Sequence, residues 1–237
     1  MTAYFTVDVE QDCPPYLNTW RGMEEGLPQL LAMLAEEHIR ATFFTTGDAA
    51  RRYPDAVQGI VDAGHELGCH GDTHRNFAAL TADESDREIA DASQSLRRFG
   101  PVVSFRAPFL QLPARHLSLL QRHGYALDSS EGRHKRLSAS VRVDRGVLRV
   151  PASVTSSTLR WPSTVRDRLF ARLRAPVVLF VHPWEFVDLR RERLRFDCRF
   201  KTGAQALDCA RSALRFFTAR GASFGLMRDF DERSVRL

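Results

Sequence analysis

Short apolar segments alternate with amphipathic helical segments along the chain, and this alternation limits the folds that it can adopt. Strands are predicted at residues 4–7, 41–44, 66–69, 102–105, 125–127, 148–150, 176–181 and 223–226. Apolar residues at helical spacing, with capping signals, predict helices over 27–38, 47–61, 81–99, 113–123 and 203–220. Strands that alternate with helices form a parallel sheet of βα units. Seven or eight such units favour an α/β barrel over an open sheet.

The composition is that of a globular protein. Of 237 residues, 43% are hydrophobic and 27% are charged, which excludes a disordered chain, a collagen-like fibre and a disulfide-dense toxin. No change in composition marks a boundary, so residues 1–237 are expected to form one domain. The net charge of +5 is typical of a solvated basic surface. The arginine run at 190–195 carries no recognition motif, so no nucleic-acid partner is expected.

The N-terminus and the cysteines predict where the protein works. The segment that begins Met1-Thr2-Ala3 has no basic region and no cleavage site of a signal peptide, and no apolar run reaches the ~18 residues of a membrane span. Four cysteines without a C-x-x-C pair are typical of free thiols in a reducing compartment. We therefore expect a cytoplasmic protein, either free or at the inner membrane surface.

Ionisable side chains follow five of the predicted strands, at the point where each strand ends. In a βα barrel these carboxyl ends meet in one mouth, where function resides. A structural role is reasonable for any single residue, but five strands that end in this way indicate a functional site. The candidates are Asp8, Glu10, Asp12, His70, His74, Arg106, Asp128 and His182.

The first two groups of candidates suggest a metal site. Asp8, Glu10 and Asp12 would project together from an extended chain, and crowded carboxylates are stabilised by a cation. His70 and His74 are four residues apart, so they would share one face of a helical turn. Two imidazoles and one carboxylate leave coordination positions open, as catalytic metal sites do. The alternatives are a solvated acidic turn and two surface histidines.

Arg106 and His182 also stand at predicted strand ends. His182 follows the most apolar strand of the chain, so it faces solvent with a low-dielectric interior behind it, which favours acid–base chemistry. The alternative is a core histidine with its hydrogen bonds satisfied. For Arg106 the alternative is an ordinary salt-bridged arginine.

Five motifs in this order resemble the polysaccharide deacetylases with a NodB-homology domain, a family of the carbohydrate esterase type. The resemblance covers residues 2–230 and rests on 7–10, 70–74, 106–109, 128–130 and 179–183. It implies a distorted (β/α) barrel of seven or eight units and a metal-dependent hydrolase that removes acyl groups from amino sugars. Zinc is the default metal for histidine and carboxylate ligands, with cobalt, nickel and manganese as alternatives.

The resemblance also implies a role for each matching residue. Asp8 is similar in position to the family's catalytic base and Arg106 to its partner, while His182 matches the catalytic acid and Asp128 the carboxylate that tunes it. The metal ligands would be Glu10, His70 and His74. The family's usual form has two adjacent aspartates, whereas Val9 separates Asp8 from Glu10 here, so Asp12 is the second choice of ligand. Substrate contacts are expected from Pro108, Phe109 and Trp184.

The substrate expected from this resemblance is an N-acyl, chiefly N-acetyl, amino sugar or glycan, which could be lipid-linked or nucleotide-linked. Three alternatives remain open: a deformylase of a lipid-linked amino sugar, another C–N amide hydrolase on the same fold, and an inactive carbohydrate-binding barrel. Residues 131–162 are a candidate substrate loop whose shape the sequence does not reveal.

Overall fold

A single curled sheet organises the computed structural model of this chain, which describes residues 1–135 and 139–230. Its strands are Thr2–Val9 (β1), Thr42–Thr45 (β2), Glu66–Cys69 (β3), Ser104–Phe105 (β4), Leu127–Asp128 (β5), Arg142–Asp144 (β6), Val147–Arg149 (β7), Val177–Val181 (β8) and Ser223–Gly225 (β9). The strand order is β6-β7-β5-β4-β3-β2-β1-β8, and β9 pairs with the first half of β1. Of these pairs, β6–β7 is antiparallel and the others are parallel.

Helices flank the sheet. In the described part of the chain the α-helices are Leu27–Glu36 (α1), Gly47–Arg52 (α2), Pro54–Asp62 (α3), Ala82–Leu96 (α4), Leu117–Arg122 (α5), Ser163–Phe170 (α6), Phe196–Arg199 (α7) and Ala204–Ala219 (α8). None of these combines the length and the apolar character that crossing a bilayer requires.

The sheet closes incompletely, because the strands β7 and β8 do not pair. Instead the chain that follows β7 reaches β8 at one point: Ser153 N donates to the carbonyl oxygen of Val178 at 2.8 Å, and Val178 N donates to Ser153 Oγ at 3.0 Å. The result is a distorted α/β barrel, which confirms the predicted fold class.

Alternation along β1 separates the helix-packing face from the barrel interior. Ala3, Phe5, Val7 and Val9 belong to the apolar cluster that includes residues of α1 and α8. Because successive strand side chains point to opposite faces, Thr6 and Asp8 lie on the other face of the sheet. The interior of the barrel is therefore where β1 presents polar groups.

The predicted helix over 47–61 is two helices, α2 and α3. The break falls at Tyr53, which has φ −129° and ψ 56° and precedes Pro54. Proline has no N–H to donate and disfavours helical backbone in the residue before it, so the first helix ends there.

Two other segments also differ from the expectations. The helix predicted over 113–123 begins as the 3-10 turn Ala114–His116 and becomes α-helical at Leu117. The candidate substrate loop 131–162 contains the β6–β7 hairpin and the 3-10 turn Ser156–Arg160, while residues 136–138 lie outside the described residues. Short elements of this kind have too few residues to show a periodic pattern in the sequence.

The N-terminus of α4 provides a test of local stability. Glu84 N donates to Thr81 Oγ1 at 3.3 Å, and Glu84 Oε2 accepts from Thr81 N at 2.9 Å, so the predicted capping box is present. Replacing Thr81→Ala removes the side-chain acceptor and is expected to lower the free energy of unfolding by about 1 kcal/mol. Chemical denaturation followed by circular dichroism measures this change. Thr81→Ser keeps the hydroxyl and is the matched control; equal losses in both variants would contradict the assignment of the cap.

Candidate active site at the carboxyl ends of the strands

The strand ends converge on a pocket of about 360 Å³. The register explains this convergence, because the last residues of five neighbouring parallel strands are successive cross-strand partners. They are Val9, Thr45, Cys69, Phe105 and Asp128. The residues that follow them therefore stand at one level. Of the predicted site residues, the following line the pocket: Asp8, Glu10, His70, His74, Phe109, His182 and Trp184.

Glu10, His70 and His74 form a compact group of potential metal ligands. Glu10 Oε2 lies 2.6 Å from His74 Nε2 and 3.3 Å from His70 Nε2, and the three ligand atoms lie within 4.8 Å of one another. The group is buried, with His74 partly open to the pocket.

The surroundings of His70 fit a cation at this place. His70 Nδ1 lies 2.7 Å from the carbonyl oxygen of Arg106, which can only accept, so Nδ1 carries a proton in that bond. In the neutral imidazole Nε2 then has a lone pair directed at the Glu10 carboxylate, which is also an acceptor. Two acceptors that face each other in this way suit a shared metal ion, and a carbonyl that orients the second nitrogen is typical of metal-bound histidine.

The electrostatics of Glu10 agree with this arrangement. Burial alone would raise the pKa of the Glu10 carboxyl, but the charges of His74 and His182 and the close contacts with the His70 and His74 rings hold that pKa well below its usual value. Trp184 Nε1 donates to Glu10 Oε1 at 3.2 Å. The carboxylate is thus kept ionised and fixed in orientation.

The segment that joins the two histidines differs from the prediction. Residues 70–74 are not helical; Gly71 and His74 both have positive φ, at 77° and 60°. A glycine is needed at 71 because that backbone conformation is strained for other residues. The chain bends between the two histidines, and their ring centroids lie 5.3 Å apart.

Asp12, the second choice of ligand, lies outside this group. Its Oδ2 accepts from Thr19 Oγ1 at 2.7 Å and from Arg21 N at 2.8 Å, and its Oδ1 accepts from Gly22 N at 2.8 Å. Strand β1 ends at Val9, so the alternation that would have aligned Asp12 with Glu10 does not continue. Asp12 instead holds the loop that leads into the π-helical turn Gly22–Gly26.

Asp8 is held by a fully buried arginine. Arg106 Nη1 donates to Asp8 Oδ1 and to Thr6 Oγ1, both at 2.7 Å, while Nη2 donates to Ser129 Oγ at 2.9 Å. The guanidinium also lies over the ring of Phe44, 4.3 Å from its centroid. The second oxygen of Asp8 has no hydrogen-bond donor among the described residues, and Asp8 lines the pocket. Its carboxylate is therefore available to a molecule in the pocket.

The partner of His182 corrects one prediction. Asp128 does not contact His182; its Oδ2 accepts from Arg149 Nε at 2.8 Å, and its Oδ1 accepts from Ser130. The register pairs Asp128 with Arg149 on β7, which directs its charge to that strand. His182 Nδ1 lies instead 2.8 Å from Glu185 Oε1, and Glu185 Oε2 lies 3.0 Å from Arg160 Nε.

This chain of contacts perturbs His182. Burial opposes the charged imidazolium, but Glu10 and Glu185 outweigh that effect and raise the pKa of His182 to about 9. The Trp184 ring stacks on the imidazole with centroids 4.8 Å apart. Glu185 is not among the residues predicted for the site. It follows His182 by three residues, and the 3-10 turn that begins at Pro183 places the two side chains on one face.

The three predicted substrate contacts occupy different positions. Phe109 is 39% exposed and its ring lies edge-on to His74 at 4.8 Å, while Trp184 lines the pocket beside His182. Pro108 is buried and is not among the residues that line the pocket, so its contact with a substrate stays a prediction. It begins the turn Pro108–Leu110, which presents Phe109 and Leu110 instead.

Proteins of known sequence and structure are similar to this chain. A Helicobacter pylori peptidoglycan deacetylase is 30% identical over 109 residues, which cover 45% of this chain and 37% of that protein. The match thus spans only about two fifths of that relative's length.

Two solved structures share the fold. One, from Mycobacterium smegmatis, is described as a polysaccharide deacetylase and has a TM-score of 0.73 at 22% identity, covering 99% of this chain and 90% of that chain. The other is a Bacillus anthracis pseudoenzyme of carbohydrate esterase family 4, with a TM-score of 0.65 at 16% identity, covering 96% of this chain and 64% of that chain. The model of the polysaccharide deacetylase family matches residues 3–127, more than half of the sequence, and the protein therefore belongs to the polysaccharide deacetylase family.

Proposed function

We propose that this protein is a metal-dependent hydrolase that removes the acyl group, chiefly acetyl, from an N-acyl amino sugar. The observation that carries the proposal is the juxtaposition in one pocket of a metal-ligand group, an accessible carboxylate at Asp8 and a histidine held by a carboxylate at His182. A molecule that only binds carbohydrate needs neither a proton acceptor nor a proton donor beside a metal site.

Glu10, His70 and His74 would hold the metal, with zinc as the default for this donor set and cobalt, nickel or manganese as alternatives. Such an ion supplies Lewis-acid polarisation of the acyl carbonyl and stabilises the negative charge that develops on its oxygen. Three protein ligands leave positions open to water and substrate, as in catalytic rather than structural zinc sites.

Asp8 acts as the general base. Its Oδ1 is fixed by Arg106, so Oδ2 is the oxygen that can accept a proton from the attacking water. The Arg106 hydrogen bonds to Thr6 and Ser129 hold the guanidinium in place, and the guanidinium in turn keeps Asp8 in one orientation. Proton transfer to a positioned carboxylate contributes about 100- to 10,000-fold to the rate.

His182 acts as the general acid. Glu185 binds Nδ1, so Nε2 is the nitrogen that faces the pocket and can protonate the departing amine. An amine leaves as a neutral molecule and not as an anion, so this proton is required for the C–N bond to break. Arg160 holds Glu185 on its other oxygen and thereby fixes the histidine at one remove.

The family match favours deacetylation of sugars over the alternatives. The deformylase and other C–N amide hydrolases would use the same groups, and only the acyl pocket would differ. An inactive barrel is opposed by the intact Asp8, Glu10, His70, His74 and His182. We further propose that residues 1–237 form one domain, since β9 near the end of the described chain pairs with β1 at its start.

The metal assignment predicts the effect of His70→Ala. Removing one of three ligands should lower bound zinc from about one equivalent to near none after dialysis, because two ligands bind the ion far more weakly. Elemental analysis of the purified protein measures it. His123→Ala is the matched control, since His123 contacts Asp86 and does not line the pocket. Unchanged zinc in His70→Ala would remove that residue from the metal site.

The acid assignment predicts that His182→Ala lowers kcat by about 100- to 10,000-fold while bound metal stays the same. Glu185→Gln should lower kcat in the same direction, because it removes the charge that orients and stabilises the imidazolium. Acetate release from N-acetylglucosamine oligomers measures both.

Asp128→Asn separates the two candidate partners of His182. Asp128 is equally buried and also paired with an arginine, but it does not contact the histidine. If Asp128→Asn lowered kcat as much as Glu185→Gln in folded protein, the role given to Glu185 would be wrong.

A further inference from the structure

Almost every charge in the metal-site pocket has a partner of opposite sign. Asp8 pairs with Arg106, Glu10 with the histidines, and Glu185 with Arg160. Asp197 at the rim pairs with Arg195. Lys135 also lines the pocket, and among the described residues its Nζ contacts only the carbonyl oxygen of Phe109. Within the described part of the chain, Lys135 lines this pocket without forming an ion pair.

A second pocket, of about 830 Å³, adjoins the first, since His134 and Thr155 line both. Three arginines line it, Arg133, Arg172 and Arg174, and no acidic residue does among the described residues. The large aromatic side chain of Trp161 also lines it and is 41% exposed. The cavity thus combines positive charge with an aromatic surface on which a sugar ring can pack.

The arginines of the second pocket differ in exposure: Arg133 is half-buried, whereas Arg172 and Arg174 are exposed. Arg133 Nη1 donates to the carbonyl oxygens of Arg174 and Pro176, at 2.8 and 3.3 Å, which fixes the guanidinium at the pocket wall. Desolvation lowers the pKa of both Arg133 and Lys135. Glu131, nearby in sequence, is engaged by Arg142 and Arg149. Three arginines that line one pocket, with no acidic residue among its described lining, favour the binding of an anionic ligand.

We propose that the substrate is an anionic amino sugar, whose phosphate or carboxylate group binds Lys135 and the arginines of the second pocket while its N-acyl group lies at the metal site. The proposal rests on the proposed function and adds the substrate class. A neutral glycan would leave these cations unmatched, and a phosphate or a carboxylate can accept several of their hydrogen bonds at once.

Kinetics on three matched substrates test the proposal: N-acetylglucosamine 1-phosphate, N-acetylmuramic acid and neutral N-acetylglucosamine. At low ionic strength we expect kcat/KM for one charged substrate to exceed that of the neutral sugar by about tenfold or more, the effect of one hydrogen bond to a charged group. The difference should shrink as salt is added. Which of the two is preferred distinguishes phosphate from carboxylate recognition. Equal values for all three substrates would overturn the proposal.

Variants locate the anion. Lys135→Gln and Arg172→Gln should each raise KM for the preferred charged substrate by about tenfold, and by much less for the neutral sugar. Arg98→Gln removes an exposed arginine that lines neither pocket, and its kinetics should match those of the wild type. A loss in the variants that is equal for charged and neutral substrates would contradict a direct contact with the anion.

Calorimetry separates this proposal from the proposed function. If no acyl group is released from any substrate, the hydrolase assignment fails, but the anion site is still tested by titrating the zinc-loaded protein with glucosamine 1-phosphate and with glucosamine. Tighter binding of the phosphate, weakened about tenfold in Lys135→Gln, would support the site. Equal affinity of wild type and variants for glucosamine 1-phosphate would rule it out.

Discussion

The buried guanidinium of Arg106 is the constraint on which the mouth of the barrel depends. Its side chain binds Asp8, and its backbone carbonyl accepts from His70 Nδ1, so one residue orients both the carboxylate and a candidate metal ligand. A charge that is entirely withdrawn from water is stable only if it is paired and hydrogen-bonded. Arg106 meets this condition through Asp8, Thr6 and Ser129. Any shift of strand β4 would therefore disturb the proposed base and the proposed metal site together.

Strand β8 positions His182 beside Asp8. Val7 of β1 is the cross-strand partner of Val181, so Asp8 and His182 leave the sheet at neighbouring positions. The two face the pocket with different partners: an arginine binds the carboxylate, and Glu185 binds the histidine. Environments of opposite sign favour a proton acceptor at one side and a proton donor at the other. The proposed division between base and acid thus rests on which buried partner each residue has.

Some of this could be predicted from the sequence and some could not. The strand ends were visible because apolar runs stop at ionisable residues. That rule gives Asp8, His70 and His74, but it gives Glu10 only together with Asp12. The break at Pro54 was also available, since proline signals it locally. The partner of His182 could not be predicted from the sequence, because Asp128 and Glu185 are both acidic residues near a strand end. Only the register of β5 against β7 shows that Asp128 faces Arg149.

The non-helical turn between His70 and His74 shows a second limit. The spacing of four residues predicted a shared helical face, whereas positive φ at Gly71 and His74 brings the rings together by another path. Glu10, His70 and His74 lie together as predicted although the predicted helical turn is wrong, because several backbone paths can bring two residues to the same place. Side-chain chemistry at strand ends therefore constrains a site more tightly than local conformation does. A shared fold is weak support for activity, because a pseudoenzyme of carbohydrate esterase family 4 has the same fold. The pairing of each buried charge at the site is therefore the stronger criterion.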